Sequence, residues 1–154
     1  MSYFKLIESL KSVFESDARI KTITEGDIDD LDLYRQNIPA MAHIIISDGT
    51  IQDNLNVYNV LIQCVDIVSE NNNITTEKFK GNDNRQEVYN DMDNVLRRAY
   101  LTFKRDAEQD NINVLGDASV TKILEETTEN NLAGWAATFT VEVPNELMDV
   151  CEPI

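Results

Sequence analysis

The chain has 154 residues, enough for one domain with a single core, and it carries 28 acidic against 13 basic residues. Its formal net charge of −15 repels nucleic-acid phosphates and anionic membrane surfaces, so sequence-reading DNA binding is disfavoured. No stretch approaches the roughly 18 apolar residues of a membrane span, and the N-terminus lacks the apolar core of a signal peptide, which predicts a soluble protein made in the cytoplasm.

The first part of the chain predicts a helix and a short strand. Apolar residues recur at helical spacing from Tyr3 to Phe14, so residues 2–15 should form an amphipathic helix. Residues 19–24 alternate as a short, partly exposed strand, and Gly26 breaks it. An acidic loop follows, to Asn37.

Two apolar runs in the next part predict strands. Residues 40–47 are rich in β-branched side chains and predict a buried central strand, which should turn at Asp48-Gly49. Residues 55–68 carry apolar side chains on both faces of a strand, which therefore needs cover on both sides. Because one domain of this size offers little more than one sheet layer, part of this strand should meet a partner. The candidate interface residues on it are Tyr58, Val60 and Ile62.

A polar connector at 69–83 precedes the clearest helix of the sequence. The helix should begin at a capping box, Asp83-Asn84-Arg85-Gln86, and run to about Glu108. One face of it is apolar and is formed by Val88, Met92, Val95, Leu96, Ala99 and Phe103. We expect a loop at 110–117 after this helix.

The last third of the chain has the pattern of a β-hairpin. Over residues 135–143 the odd positions are apolar and the even positions are small or polar, which is typical of a half-buried strand. Asn130-Asn131 and Gly134 should supply the turn, since both residue types tolerate positive φ. Pro144 has no N–H to donate to a ladder, so it should end the strand or confine it to an edge.

Residue types that catalyse reactions or bind metals have no second such residue at the spacing that a catalytic or metal site requires. His43 is the only histidine, which favours a core or interface residue over a general base or zinc ligand. The carboxylate cluster at 25–32 lacks EF-hand order, which favours a solvated or interface loop over a calcium site. Cys64 and Cys151 form no metal or redox spacing. Glycine-rich phosphate loops and nucleophile elbows are absent from the sequence, so we predict no catalytic residue, metal site, cofactor or enzyme activity.

Two further features leave alternatives open. A basic stripe on the long helix has acidic residues beside it, which favours a salt-bridged surface over a nucleic-acid or subunit contact. The stripe consists of Arg97, Arg98, Lys104 and Arg105. Trp135 is the only tryptophan, and it is either a sheet-packing aromatic or an interface anchor.

The order of these elements resembles that of the tail terminator (tail completion) proteins of long-tailed bacteriophages. The resemblance is carried by the helix Phe4 to Phe14 with residues 20–26, by the strand at 38–46, and above all by the segment Asn130 to Asn145. Only in this last segment is the resemblance specific at the level of the amino-acid sequence. The layout covers nearly the whole chain as a single domain, 1–154, of which residues 145–154 are a short acidic tail.

The resemblance implies an α+β fold with a small, mostly antiparallel sheet of four to five strands. An N-terminal helix and one long helix would pack on the sheet. Such subunits assemble into a ring, usually of six copies, that caps the finished tail tube, ends its polymerisation and presents a surface for the head. The implied partners are further copies of the chain, the tail tube protein, and a head–tail connector or stopper protein. DNA would pass through the lumen without specific binding, and no membrane would take part.

The implied location is the tail or neck of the virion, and the host cytoplasm during assembly. Two alternatives stay open. Another neck protein, such as a head–tail joining protein, often shares a related small α+β fold. A small cytoplasmic adaptor that binds a partner seeking an acidic patch is the other alternative, and it belongs to a different functional class.

Overall fold

Two helices and five strands make up the described part of the protein. The computed structural model describes residues 2–26, 40–68, 85–109, 111–125 and 131–144. In chain order the elements are α1 (Ser2–Glu15), β1 (Thr22–Glu25), β2 (Met41–Ile51), β3 (Leu55–Val68), α2 (Arg85–Gln109), β4 (Asn113–Glu125) and β5 (Asn131–Pro144). Neither described helix combines the length and the apolar character needed to cross a membrane.

The strands form one mixed sheet in the order β1-β2-β3-β5-β4. β1 runs parallel to β2, and the other three pairings are antiparallel. The longest pairing joins β3 to β5 over their whole length, from Leu55 opposite Pro144 to Val68 opposite Asn131. The predicted α+β class, with a mostly antiparallel five-stranded sheet and two helices packed on it, is confirmed.

Both helices cover the same face of the sheet. Their apolar stripes pack with the even positions of β2 and β3 and the odd positions of β5 in one core cluster. Phe139 of β5 lies at its centre, with the rings of Tyr100 and Phe103 of α2 at 5.2 and 5.8 Å. Burial of each large apolar side chain in such a cluster contributes about 1.5–3 kcal/mol. The predicted alternation over residues 135–143 is confirmed, because the odd positions face these helices.

The two-sided apolar pattern of β3 has a cause within the subunit. Val60 and Ile62 face the helices and are 0% and 1% exposed, so the helix layer supplies the cover of this face. The opposite face carries a smaller apolar cluster. Its buried members are Met41, Val65 and Leu132, with Ile67 and Ile123 packed against them.

The predicted turn at Asp48-Gly49 is wrong. β2 continues to Ile51 through an irregularity between Ile46 and Asp48, and the chain turns afterwards, where the Gln52 N–H donates to the Leu55 carbonyl at 2.8 Å. Gly49 pairs with Tyr58, and a Cβ at this position would lie 2.6 Å from the Val57 carbonyl oxygen. This glycine permits a close approach of two strands rather than a turn.

Two boundaries in the last third also differ from the prediction. Gly134 lies inside β5 opposite Val65, and not in a turn. The predicted loop at 110–117 overlaps β4, which begins at Asn113 and is interrupted between Leu115 and Ser119, where Gly116 has a φ of 65°. The acidic loop at 27–37, the connector at 69–83, the Asp83-Asn84 start of the capping box and the tail at 145–154 lie outside the described residues.

Candidate functional site

His43 and Cys64 are core residues. The His43 side chain is fully buried, and its Nδ1 lies 2.6 Å from Thr24 Oγ1, which joins β2 to β1. Cys64 is a free, fully buried thiol on the helix-covered face. Burial, and after it the nearby charge of Asp17, raises the pKa of this thiol far above its ordinary value. The predictions of a core histidine and a core thiol are confirmed, while Cys151 lies outside the described residues.

No group of three or more histidine, cysteine, aspartate or glutamate side chains that could hold a metal ion occurs within the described ranges. The carboxylate cluster predicted at 25–32 is described only at Glu25, whose side chain accepts a hydrogen bond of 2.8 Å from the Tyr3 hydroxyl. This hydroxyl joins the start of α1 to the end of β1. The described part of the cluster therefore has a structural contact.

The basic stripe of α2 takes part in ion pairs. Arg97 Nε lies 2.9 Å from an Asp93 oxygen on the same helix, and Arg98 reaches Asp17, just after α1, at 3.0 Å. The predicted salt-bridged surface is confirmed at these positions. Lys104 is exposed and forms no ion pair with any described residue. Exposed pairs of this kind contribute little to stability, about 0–1 kcal/mol each, so the stripe stays available for other contacts.

Trp135 connects β5 to α2. Its Nε1–H donates to the Tyr89 carbonyl at 2.9 Å, and the two rings meet edge to face at 5.9 Å. Lys122 Nζ lies 4.2 Å from the centre of the Tyr89 ring. Trp135 is half-buried and packs against the main core cluster. Of its two predicted roles, these contacts favour the sheet-packing aromatic.

The four candidate interface residues have different positions in the subunit. Val60 and Ile62 are buried in the core, as described above. Tyr58 and Trp135 are half-buried at its margin. An interface role for Tyr58 and Trp135 stays a prediction, whereas the Val60 and Ile62 side chains have no surface to offer to a second subunit.

Six large apolar side chains are exposed in the described part of the chain, and they divide into two sets. The first set lies at the start of α1 and at the end of β2. Tyr3 is 43% exposed, Phe4 62% and Ile51 85%. Tyr58 belongs with this set, since its ring meets that of Tyr3 edge to face at 6.1 Å. We call Tyr3, Ile51 and Tyr58 the β2-edge surface.

The β2-edge surface has an acidic margin. Its exposed carboxylates are Glu25 and Asp53, whereas Asp48 lies on the opposite face of the sheet and accepts a hydrogen bond from Asn59. Partial burial, followed by the hydrogen bond from the Tyr3 hydroxyl to Glu25 and the charge of that carboxylate, raises the pKa of Tyr3 to about 12. The hydrogen bond from Tyr3 to Glu25 thus connects α1 to the end of β1.

The second set surrounds the free edge of β4. Leu101 is 63% exposed, Val120 43% and Leu115 36%. A groove of about 280 Å³ runs between α2 and β4 beside them. Its lining consists of Leu96, Arg97, Tyr100, Leu101, Asp117, Ala118, Val120 and Ala137. We call Leu101, Val120 and this groove the β4-edge surface; Leu115, which pairs with Thr140, lies on the opposite face of the sheet.

The β4-edge surface has two cations beside it and one unusual polar atom. Arg97 precedes Leu101 by four residues and Lys104 follows it by three, so both lie on the helical row of Leu101. The Tyr100 hydroxyl oxygen is buried and has no hydrogen-bond partner among the described residues. A buried hydroxyl without a hydrogen-bond partner costs stability.

The two surfaces lie at opposite edges of one sheet. β3 and β5 separate β2 from β4, which places the two edges about 14 Å apart at the usual spacing of strands. β1 pairs only with Met41 to Ile44, so no described strand covers the same side of the rest of β2, and β4 has no outer neighbour among the described strands. Free strand edges and exposed apolar side chains both favour association.

The sequence patterns singled out Tyr58 as a candidate interface residue, but they did not predict either surface as a whole. Leu101 is an apolar residue that lies off the apolar stripe of α2, and Ile51 is an apolar residue after the glycine that we expected to end β2. These two positions were the signals in the sequence that could have indicated exposed apolar side chains. Neither the models of known protein families nor the curated protein sequences match this chain.

Proposed function

We propose that the protein is a tail terminator of a long-tailed bacteriophage, a virion protein without enzyme activity that forms a ring on the end of the tail tube. The observation that carries this proposal is the order of the elements. An N-terminal amphipathic helix, a short strand, two long strands, one long helix and a closing hairpin follow one another along the chain. This is the layout on which the resemblance to that family rests.

The surface of the subunit supports a structural role. The described residues that attract chemical interest, His43 and Cys64, are both buried in the fold. Several of the exposed large apolar side chains in the described ranges instead lie on or beside β2 and β4. A subunit with two separate apolar edges is suited to repeated contact with copies of itself.

The charge of the chain supports a role beside DNA that does not bind it. With −15 per copy, a ring of six would carry a formal charge of about −90. DNA adheres to a protein through cationic side chains that contact its phosphates, and a lumen of this charge would not offer such contacts. We propose that DNA passes through such a ring during packaging and ejection without a stable contact.

The proposed partners follow from the same role. One face of the ring would meet the last ring of tail tube protein, and the other would meet a head–tail connector or stopper protein. The protein would therefore reside in the tail or neck of the virion after assembly in the host cytoplasm.

A tube-length assay tests the proposal. Tube protein encoded in the same genome is allowed to polymerise with and without the purified chain, and tubes are measured by negative-stain electron microscopy. We expect shorter tubes whose ends carry an added ring. An unrelated protein of similar size and charge is the control. Tubes of unchanged length with bare ends would contradict the proposal, and binding to a head connector alone would point to another neck protein.

A further inference from the structure

We propose that the corner between the Tyr89 and Trp135 rings is a cation site, which takes a lysine or arginine side chain from a basic segment of a partner protein. In the isolated subunit the chain's own Lys122 occupies this corner. The site lies at the junction of α2, β4 and β5, and it does not depend on the terminator function.

Hydrogen bonds fix both rings of the corner. The Tyr89 hydroxyl donates to the Ile123 carbonyl of β4 at 3.3 Å, and Trp135 Nε1–H donates to the Tyr89 carbonyl at 2.9 Å. The two rings meet edge to face, with an angle of 67° between their planes, and neither side chain is fully buried. A cation that enters the corner therefore meets rings that are already in place, so little ordering of protein groups opposes its binding.

Lys122 shows which chemistry the corner accepts. Its Nζ lies 4.2 Å from the centre of the Tyr89 ring and 5.9 Å from that of the Trp135 ring. Both distances are within the roughly 6 Å over which an aromatic ring attracts a cation. Lys122 pairs with Trp135 across the strands, and it is the one lysine or arginine in the five described strands. Its ammonium group thus serves as an internal ligand of the two rings.

The contact of Lys122 with the rings is weak enough for exchange. The Lys122 side chain is exposed and forms no ion pair with any described residue. A cation–π contact at an exposed site changes an equilibrium constant by only about two- to fivefold. The flexible four-carbon stem of lysine also allows the ammonium group to leave the corner without a change in the backbone. A cation supplied by a partner can therefore replace it.

The net charge of the chain selects the source of the cation. At −15 the chain attracts a basic segment and repels an acidic one. A basic segment places one side chain in the corner while its other cations approach carboxylates of the chain. A free quaternary ammonium ion has the same chemistry for the rings but brings a single charge, so the basic segment is the favoured occupant.

The fluorescence of Trp135, the only tryptophan, reports on the site directly. The full chain is titrated with tetralysine at fixed ionic strength, and we expect a saturable change in the Trp135 emission. Lys122→Ala removes the internal competitor. Lys104→Ala is the matched control, because it removes the same charge from an exposed position about 22 Å along α2 from Tyr89. The Lys122→Ala chain should bind tetralysine about two- to fivefold more tightly than the Lys104→Ala chain does.

Two changes at Tyr89 separate the ring from the rest of the side chain. In the Lys122→Ala chain, Tyr89→Phe keeps the ring and should leave the binding of tetralysine unchanged, whereas Tyr89→Leu should weaken it by about twofold or more. Circular dichroism checks the fold of both. Equal binding by the Lys122→Ala and Lys104→Ala chains, or an emission that does not change, overturns the site. Choline that binds as tightly as tetralysine overturns the basic segment as its occupant.

Discussion

Gly134 lies where β5 passes closest to β3, and replacing it with alanine tests the packing of the sheet directly. A Cβ built on Gly134 overlaps the carbonyl oxygen of Cys64 and lies 2.8 Å from its carbonyl carbon and 2.9 Å from Val65 Cα. All three atoms belong to the backbone of β3. Relief therefore requires the two central strands to separate, at the pairing that runs the full length of both.

The magnitude follows from a comparison with a second glycine. Overpacked substitutions cost about 1–3 kcal/mol and occasionally more, and a backbone overlap in the central pairing should reach about 3 kcal/mol or more. Gly116 has a φ of 65°, but a Cβ added there would have no neighbour within 4 Å, so alanine meets only the left-handed backbone cost of about 1 kcal/mol. Gly134→Ala should therefore lower the free energy of unfolding more than Gly116→Ala does.

Equilibrium unfolding in urea, followed by far-ultraviolet circular dichroism, measures both costs. All three chains are compared at one protein concentration, since assembly would add to the apparent stability. An unchanged denaturant slope confirms that the same surface is exposed on unfolding. A cost for Gly134→Ala that is no larger than that for Gly116→Ala would refute the close approach of β5 to β3.

Three further outcomes follow from the described contacts. Trp135→Phe should lower the free energy of unfolding, measured in urea, by about 1 kcal/mol, because it removes the hydrogen bond to Tyr89. Trp135→Ala should lower it further. Lost assembly with normal stability would instead make Trp135 an interface anchor. Tyr3, with a pKa of about 12 in the fold against about 10 when unfolded, contributes stability that is complete below pH 10 and lost as the pH rises towards 12. Tyr3→Phe should therefore lose less stability over that range in urea titrations, and an unchanged loss would contradict the contact with Glu25. Cys64, in a chain whose other cysteine is serine, should react with a thiol reagent only under unfolding conditions, and rapid labelling of the native chain would contradict its burial.

Patterns with long regular periods predicted the fold well. The apolar stripe of α2 and the alternation over residues 135–143 are periodic over several turns or pairs, and both elements formed where expected. Burial of one face decides such elements, and the sequence displays that face directly. The salt-bridged stripe was predictable for the same reason, because Asp93 and Arg97 are spaced for one helical face.

The errors of the sequence-based prediction occur where tertiary contacts decide the position of a glycine or of an isolated apolar residue. Gly49 and Gly134 were assigned to turns, but each accommodates a neighbouring strand that the local sequence does not reveal. The two-sided pattern of β3 likewise could not tell which face the helices cover. Val60 and Ile62 lie under those helices, and the exposed apolar surface lies at the sheet edges, around Ile51 and Leu101.

The mass of the purified chain in solution, measured by light scattering alone and with tail tube protein, tests the central claim most directly. The account predicts a closed ring with the mass of six 17.5 kDa subunits in at least one of these two conditions. A strict monomer in both would contradict it.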